Sequence, residues 1–155
     1  MAIQVFVNNI PFEIPVQGSQ PPWGESLTEF FVEVATVLNS LKGPADILET
    51  SAIIANNITS FQDIPDMKFN FSTVRSFKVE GNIARTTGSV KLYEEFTLVG
   101  LRTDSQWLLQ QSGIGNSGVT FDITNGGQVQ YKSTNVSGSN YSGLIKFRGI
   151  GLLNS

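Results

Sequence analysis

Two pairs of acidic residues could serve as catalytic carboxylates or as ligands of a hard cation. Glu94 and Glu95 are adjacent in a predicted strand, so their side chains point to opposite faces and cannot act on one substrate. Asp63 and Asp66 flank a proline in a predicted loop, without the dense Asp/Asn spacing of calcium-binding loops. We therefore expect neither a catalytic site nor a metal site at these positions.

Three glycines match the spacing of a dinucleotide-binding loop. Gly113, Gly115 and Gly118 form a G-x-G-x-x-G pattern, which in nucleotide-binding folds leads from a strand into a helix. Here the pattern leads into VTFDI at residues 119–123, which alternates like a strand. The glycines are interpreted as loop residues, and no cofactor is expected.

The residue types that the chain lacks exclude most catalytic chemistry. It contains no histidine and no cysteine, so Ser-His-Asp triads, two-histidine metal sites, cysteine nucleophiles and disulfides are excluded. Carboxylate-only chemistry, such as glycan hydrolysis, stays open in principle. Because no acidic pair is suitably placed, the chain is predicted not to be an enzyme.

The composition is low in charge and uneven along the chain. Charged residues make up 15% of the sequence, below the roughly 25% that is usual in globular domains. The net charge is −3, which argues against nucleic-acid binding. Residues 1–66 carry eight acidic and one basic residue, whereas residues 67–155 carry five acidic and nine basic ones. The asymmetry fits two segments with different surfaces, or complementarity between copies or with a partner.

Residues 1–25 are predicted to form an extended N-terminal arm. Prolines at four positions interrupt any helix, and apolar residues alternate with polar ones as in an edge strand. The arm is too small to bury its own large apolar side chains, so these are expected to contact a partner. The residues concerned are Phe6, Phe12, Pro21, Pro22 and Trp23.

Residues 26–42 are predicted to form one amphipathic helix. Ser26 and Glu29 have the spacing of a capping box, and Gly43-Pro44 is a stop signal. Five apolar residues recur at steps of four and three, which gives a seam of just over two heptads. These are Leu27, Phe31, Val34, Leu38 and Leu41. The seam fits packing on the chain's own domain, or a short bundle around a trimer axis, and both interpretations stay open.

The rest of the chain is predicted to be a linker followed by a β domain. Residues 43–66 show no clear periodicity and are interpreted as a linker that contains one short strand or helix. Residues 67–155 alternate in short runs separated by turn residues, which is typical of an antiparallel β-sandwich or jelly roll. Asn125-Gly126 predicts a hairpin between two of these strands. The expected fold is thus mainly β, with an arm and one helix in front.

Two stretches carry a family resemblance. Residues 14–25 read IPVQGSQPPWGE and lead into the helix, while residues 118–138 read GVTFDITNGGQVQYKSTNVSG and are followed by LIKFRG at 144–149. Together they resemble small accessory structural proteins of tailed bacteriophages, in particular capsid cement or decoration proteins and related head- or tail-fibre modules.

The resemblance implies a homotrimer that bridges capsid subunits at the virion surface. Its implied partners are further copies of itself and the major capsid protein or another virion protein, and it implies no catalytic residue. The N-terminus shows no signal-peptide pattern, and no apolar run approaches the ~18 residues of a membrane span. We therefore expect synthesis in the bacterial host cytoplasm and no membrane association. The alternative is a short tail or head fibre that binds the host through exposed loops such as 135–142.

Overall fold

The structure is a computed structural model that describes residues 2–7, 10–15, 23–40 and 43–154 of the 155. The chain divides into two compact units, Met1–Lys42 and Gly43–Ser155. The first comprises β1 (Ala2–Val7), β2 (Ile10–Pro15) and α1 (Trp23–Ser40). The second comprises β3 (Ile47–Ile53), β4 (Ile58–Lys68), β5 (Val74–Thr86), β6 (Lys91–Arg102), β7 (Trp107–Gly115), β8 (Val119–Ile123), β9 (Gln128–Ser133) and β10 (Ser142–Leu153).

The N-terminal unit contains a hairpin and a helix. Strands β1 and β2 pair antiparallel, and α1 lies beside them. The predicted arm thus contains two paired strands within residues 1–25. The helix begins at Trp23, three residues before the predicted start at Ser26. The capping-box spacing of Ser26 and Glu29 lies inside the helix, because serine and glutamate are tolerated in a helix interior as well as at its start.

The second unit contains two antiparallel sheets. The larger has the order β3-β10-β5-β6-β7, and the smaller has the order β4-β9-β8. Both contribute to one hydrophobic core, in which Phe96 of the larger sheet packs against Phe121 of the smaller with ring centroids 4.9 Å apart. The predicted mainly β fold with an antiparallel C-terminal domain is confirmed.

The segment 43–66, expected to be a linker, contains β3 and most of β4. Its strands are interrupted by irregularities that hide the two-residue period in the sequence. The pairing of β3 with β10 shifts register between Phe147 and Gly149, and the pairing of β4 with β9 shifts between Asp63 and Lys68. Asp66 has a φ of 63°, which is typical of such a bulge. The β domain therefore begins at residue 43 instead of 67.

Glycines opposite aromatic rings shape the core side of the larger sheet. Gly100 pairs with Phe77, and Gly81 pairs with Phe96, on neighbouring strands. A Cβ atom at Gly100 would lie 2.1 Å from the Phe77 ring. Each ring therefore lies over the backbone of its partner strand, and Phe77 also stacks on Phe69 with centroids 3.9 Å apart. This arrangement lets large rings fill the space between the two sheets.

The hairpin predicted at Asn125-Gly126 is confirmed, although a different residue takes the left-handed conformation. The loop closes through hydrogen bonds in which Gly127 N donates to Thr124 O and Thr124 N donates to Gln128 O. Gly127 has the positive φ, 82°. A Cβ there would lie 1.6 Å from the carbonyl oxygen of Phe69, whose own N–H donates to Gly127 O. The turn is thus tied to the chain between β4 and β5.

Candidate functional site

The helix seam predicted from the sequence is partly exposed in the N-terminal unit. Leu27 and Val34 are half-buried, whereas Phe31 is 63% exposed and its neighbour Val32 is 59% exposed. The Leu38 side chain and all of Leu41 lie outside the described residues. The described part of α1 therefore presents a large aromatic side chain and a valine to solvent.

The predicted arm residues are placed only by their backbone. Phe6 lies in β1 opposite Pro11, and Phe12 lies in β2 opposite Val5. Trp23 is the first residue of α1. Pro21 and Pro22 lie outside the described residues. The contacts of this set with a partner remain a prediction.

The acidic residues occupy separate places. Glu94 is half-buried on the core side of β6 and accepts hydrogen bonds from Ser117 N at 3.0 Å and Gln111 Nε2 at 3.1 Å, whereas Glu95 is exposed on the opposite face. Asp63 lies in β4 instead of a loop and accepts a hydrogen bond from Gln130. No group of three His, Cys, Asp or Glu residues within the described ranges could hold a metal ion.

Two of the three motif glycines are strand residues. Gly113 and Gly115 belong to β7, where each opposes a residue of β6, and only Gly118 lies in a connection. Added Cβ atoms at Gly113 and Gly115 would lie 2.1 and 2.3 Å from carbonyl oxygens of β6. The glycines therefore allow the backbones of β6 and β7 to approach closely, which corrects their interpretation as a loop.

A fully buried arginine organises one end of the sandwich. Arg85 is 0% exposed and lies on the core side of β5. Its guanidinium donates to the carbonyl oxygens of Ser117 and Thr134 and to Asn56 Oδ1, while its Nε donates to the Tyr141 hydroxyl at 3.0 Å. No carboxylate of the described chain lies within ion-pairing distance of Arg85. Neutral oxygens of three different connections thus satisfy this buried charge.

The loop predicted as a binding surface is anchored by the same end of the sandwich. Tyr141 donates its hydroxyl hydrogen to Ile54 O at 2.9 Å while accepting from Arg85, so this group faces inward. Thr87 Oγ1 donates to Ser137 O, and Gly88 N donates to Ser139 O. The remaining polar side chains of the loop are exposed. They belong to Asn135, Ser137, Ser139, Asn140 and Ser142.

The outer face of the larger sheet, which points away from the core, carries many exposed apolar side chains. Pairing across the strands aligns its residues in rows. One of these rows forms a first apolar region and contains Ile53, Leu144, Ala84 and Tyr93. The Tyr93 side chain is 59% exposed, and Ile114 on β7 is 79% exposed. A second apolar region lies at the other end of the strands. Its members are Val99, Leu101, Leu108, Ile150 and Leu152.

A charged band separates these two apolar regions. Lys78 Nζ lies 2.7 Å from Glu80 Oε1, and Arg148 Nη2 lies 3.2 Å from Glu80 Oε2. The hydrogen bond from Lys78, aided by that from Arg148, lowers the pKa of Glu80 below its ordinary value. Lys146 and Glu95 lie in the same band, in the row that contains Asn82.

Sequence reasoning missed this outer face. The signal was present in β10, where Leu144, Ile150 and Leu152 alternate with glycines and core residues on the other face. Large apolar residues at the outward positions of a strand indicate that both faces of its sheet are covered, one by the core and the other by a binding partner. We therefore identify the outer face of the larger sheet as the candidate interaction surface.

Comparisons with known proteins give little likeness. No protein-family model matches the chain, and no curated protein matches it. Among solved structures, the chain is similar to the tailspike protein of Acinetobacter phage vB_ApiP_P1, with a TM-score of 0.44 and 10% sequence identity over 68% of this chain. The match covers 22% of the tailspike chain. At this TM-score the likeness carries no argument about function.

Within the described ranges, no helix is both long enough and apolar enough to cross a bilayer.

Proposed function

We propose that this protein is a non-enzymatic structural component of a bacteriophage virion, a homotrimeric capsid cement or decoration protein. It stabilises the shell by bridging capsid subunits. The observation that carries the proposal is the exposed outer face of the larger sheet, where large apolar side chains lie on a well-packed β domain. An apolar surface of this extent is typical of a protein that works by association. The resemblance of residues 14–25 and 118–138 to phage accessory proteins supports a virion as the assembly to which this protein belongs.

The N-terminal unit is proposed to make the contacts with other chains. The exposed Phe31 on α1 gives the helix seam an apolar anchor for a trimer axis. The arm residues Phe12 and Trp23 are proposed to contact the major capsid protein or another virion protein. In this arrangement binding energy between folded surfaces, and no chemical step, strengthens the particle.

Particle stability tests the cement function. Phage particles that lack the protein are expected to release their genome at lower temperature or lower salt than particles that carry it. The measurement is a thermal-release curve of purified particles, with the purified protein added back as the control. Equal release curves with and without the protein would refute the cement function.

A tryptophan substitution tests the arm. Trp23→Ala is expected to prevent incorporation into particles while leaving the far-ultraviolet circular dichroism and thermal unfolding of the β domain unchanged. Incorporation is measured by quantitative mass spectrometry of purified particles. Loss of folding would assign Trp23 to the protein's own core and remove it from the partner contact.

A second candidate function is that of a short tail or head fibre that binds the host. The anchored loop 135–142 favours it, because Arg85 holds the Tyr141 hydroxyl and Thr87 holds the loop backbone at Ser137, while several polar side chains stay exposed. A fixed loop loses little conformational entropy on binding. Binding of the purified full chain to host cells, abolished by substitutions at exposed Asn135 and Asn140, would favour this function. Wild-type binding by that variant would count against it.

A further inference from the structure

The outward residues of β6 and β10 match each other across β5. The register places Leu144 and Tyr93 on either side of Ala84, and the same relation recurs toward the other end of the strands. There, Ile150 and Val99 flank Lys78, and Leu152 and Leu101 flank Ser76. In three of the six outward rows, an exposed apolar side chain thus stands at equal distance on each side of the central strand.

The charged band completes this pattern with opposite signs. Lys146 and Glu95 flank Asn82 in one row. They are two strands apart, about 9.6 Å at the usual strand spacing, so they do not pair within one chain. Lys146 reaches only Glu49, at 4.0 Å, and Glu95 has no ion pair among the described residues. Both charges are therefore available to a partner that presents the opposite sign at the same spacing.

We propose that the outer face of the larger sheet binds the same face of a second copy, about a twofold axis that runs along β5. Such a rotation keeps the rows aligned and exchanges the two sides of the sheet, so β10 of each copy faces β6 of the other. Leu144 then meets Tyr93, Ile150 meets Val99 and Leu152 meets Leu101. Lys146 meets Glu95 twice, once on each side of the axis.

The residues on the proposed axis are compatible with meeting their own copies. Ala84 is small and Asn82 is neutral, so neither opposes close approach. Lys78 and Glu80 already form an ion pair within each chain, which leaves little net charge at the axis. In the two remaining rows Arg148 faces Thr97 and Lys91 faces Ser142, so each of these charges meets a neutral polar group. No row places two uncompensated like charges together.

The size of the face suits a contact between copies. Five strands spaced about 4.8 Å apart, with the five outward rows from Leu144 to Leu152 about 6.8 Å apart, present roughly 800 Å² per copy, similar to the ~800 Å² per partner of a standard interface. The pairing goes beyond the proposed cement function and does not use the helix seam. A trimer axis at α1 and a pair axis at β5 are separate contacts.

Charge reversal tests the pairing in the full chain. Glu95→Lys places two positive charges, and Lys146→Glu places two negative charges, where the wild type has one of each. Each single variant is expected to weaken self-association at least ~100-fold, because like charges meet on both sides of the axis. An equimolar mixture of the two variants is expected to restore wild-type association, since each variant then faces the opposite sign.

Sedimentation velocity at about 10 µM, between a wild-type Kd of about 1 µM and the roughly 100 µM expected of the single variants, measures the number of associated copies. The wild type is expected to contain a multiple of two copies, and each single variant half that number. Thermal unfolding of the single variants is expected to match the wild type, because both sites are exposed. A wild type with an odd number of copies, or single variants that associate normally, would overturn the proposal.

Crosslinking locates the axis, because the chain contains no natural cysteine. Asn82→Cys is expected to give a dimer with a short bis-maleimide, since residues on a twofold axis meet their own copies. Thr120→Cys, exposed on the smaller sheet, is the matched control and is expected to stay uncrosslinked. Equal crosslinking of both variants would overturn the axis. A helix-mediated trimer that persists without the Asn82 crosslink would refute the pairing and leave the cement function standing.

Discussion

The two faces of the larger sheet are built from the same strands but with different residue patterns. The core face of β5 and β6 carries aromatic rings opposite glycines at one end and the buried Arg85 at the other. The outer face carries apolar side chains at both ends and a charged band between them. The core face is largely buried within one chain, whereas the outer face is left exposed. In the proposed pairing, the core face of this sheet stabilises the fold and the outer face binds a second copy.

The largest expected effect is the loss of the buried guanidinium. Arg85→Met leaves Ser117 O without its donor and removes one of the two donors of Thr134 O and of Asn56 Oδ1. Four hydrogen bonds of the guanidinium are lost, counting the one to Tyr141, and at about 1 kcal/mol each we expect a loss of about 4 kcal/mol of unfolding free energy, measured by urea denaturation. Arg75→Met, at an exposed position of the same strand, is the matched control. Equal losses of unfolding free energy in the two variants would show that the buried guanidinium contributes no more to stability than an exposed one.

A smaller effect is expected from the core aromatic cluster. Phe77→Ala removes a ring that packs on Phe69 and Trp107, and we expect it to cost about 3 kcal/mol or more of unfolding free energy. Tyr93→Ala, on the outer face of β6, is expected to change it by less than about 0.5 kcal/mol while weakening self-association. Urea denaturation at low protein concentration separates the two quantities. A Tyr93→Ala chain as unstable as Phe77→Ala would mean that the outer face also stabilises the single chain.

A single hydroxyl sharpens the comparison within the core face. Tyr141→Phe removes one acceptor of Arg85 and one donor to Ile54 O but keeps the ring. We expect a loss of about 1 kcal/mol of unfolding free energy. Tyr93→Phe is the control. It removes a hydroxyl from an exposed side chain on the outer face, so the free energy of unfolding is expected to stay unchanged. A loss as large as that of Arg85→Met would show that Tyr141 alone fixes the loop end.

The smallest effect concerns the pH dependence of the charged band. The folded chain lowers the pKa of Glu80 below the ordinary 4.5 through Lys78 and Arg148. Its contribution to stability is therefore present above pH 4.5 and is lost as the pH falls through the lowered value. Glu80→Gln is expected to lower the Tm slightly at pH 7. Below the lowered pKa of Glu80, the variant and the wild type are expected to have the same Tm. A Tm difference that grows on acidification would contradict this sign.

The sequence predicted the elements whose side chains alternate regularly. Strands β5, β6 and β8 to β10 carry buried residues at every second position, so their period is visible in the residue types alone. The strands within 43–66 were not predicted, because bulges interrupt the two-residue period of their side chains, as at Asp66. A bulge depends on the partner strand, which lies far away in sequence.

The candidate surface depended on pairing more than on residue type. Tyr93, Glu95 and Lys146 are ordinary surface residues when taken singly. Only the register of β5 with β6 and β10 places Lys146 and Glu95 symmetrically about one strand. The burial of Arg85 likewise follows from three connections that meet at one end of the sandwich.

The sequence by itself determined that the chain is mainly β, that it contains one helix, and that histidine and cysteine chemistry is impossible. These conclusions depend on residue types and on periods within a few residues. The tertiary structure decided where β3 and β4 lie, which face of the larger sheet is exposed, and which charges stand across β5 from each other. These features arise from hydrogen-bonded pairing between distant segments, and a one-residue change of register would move every side chain to the opposite face.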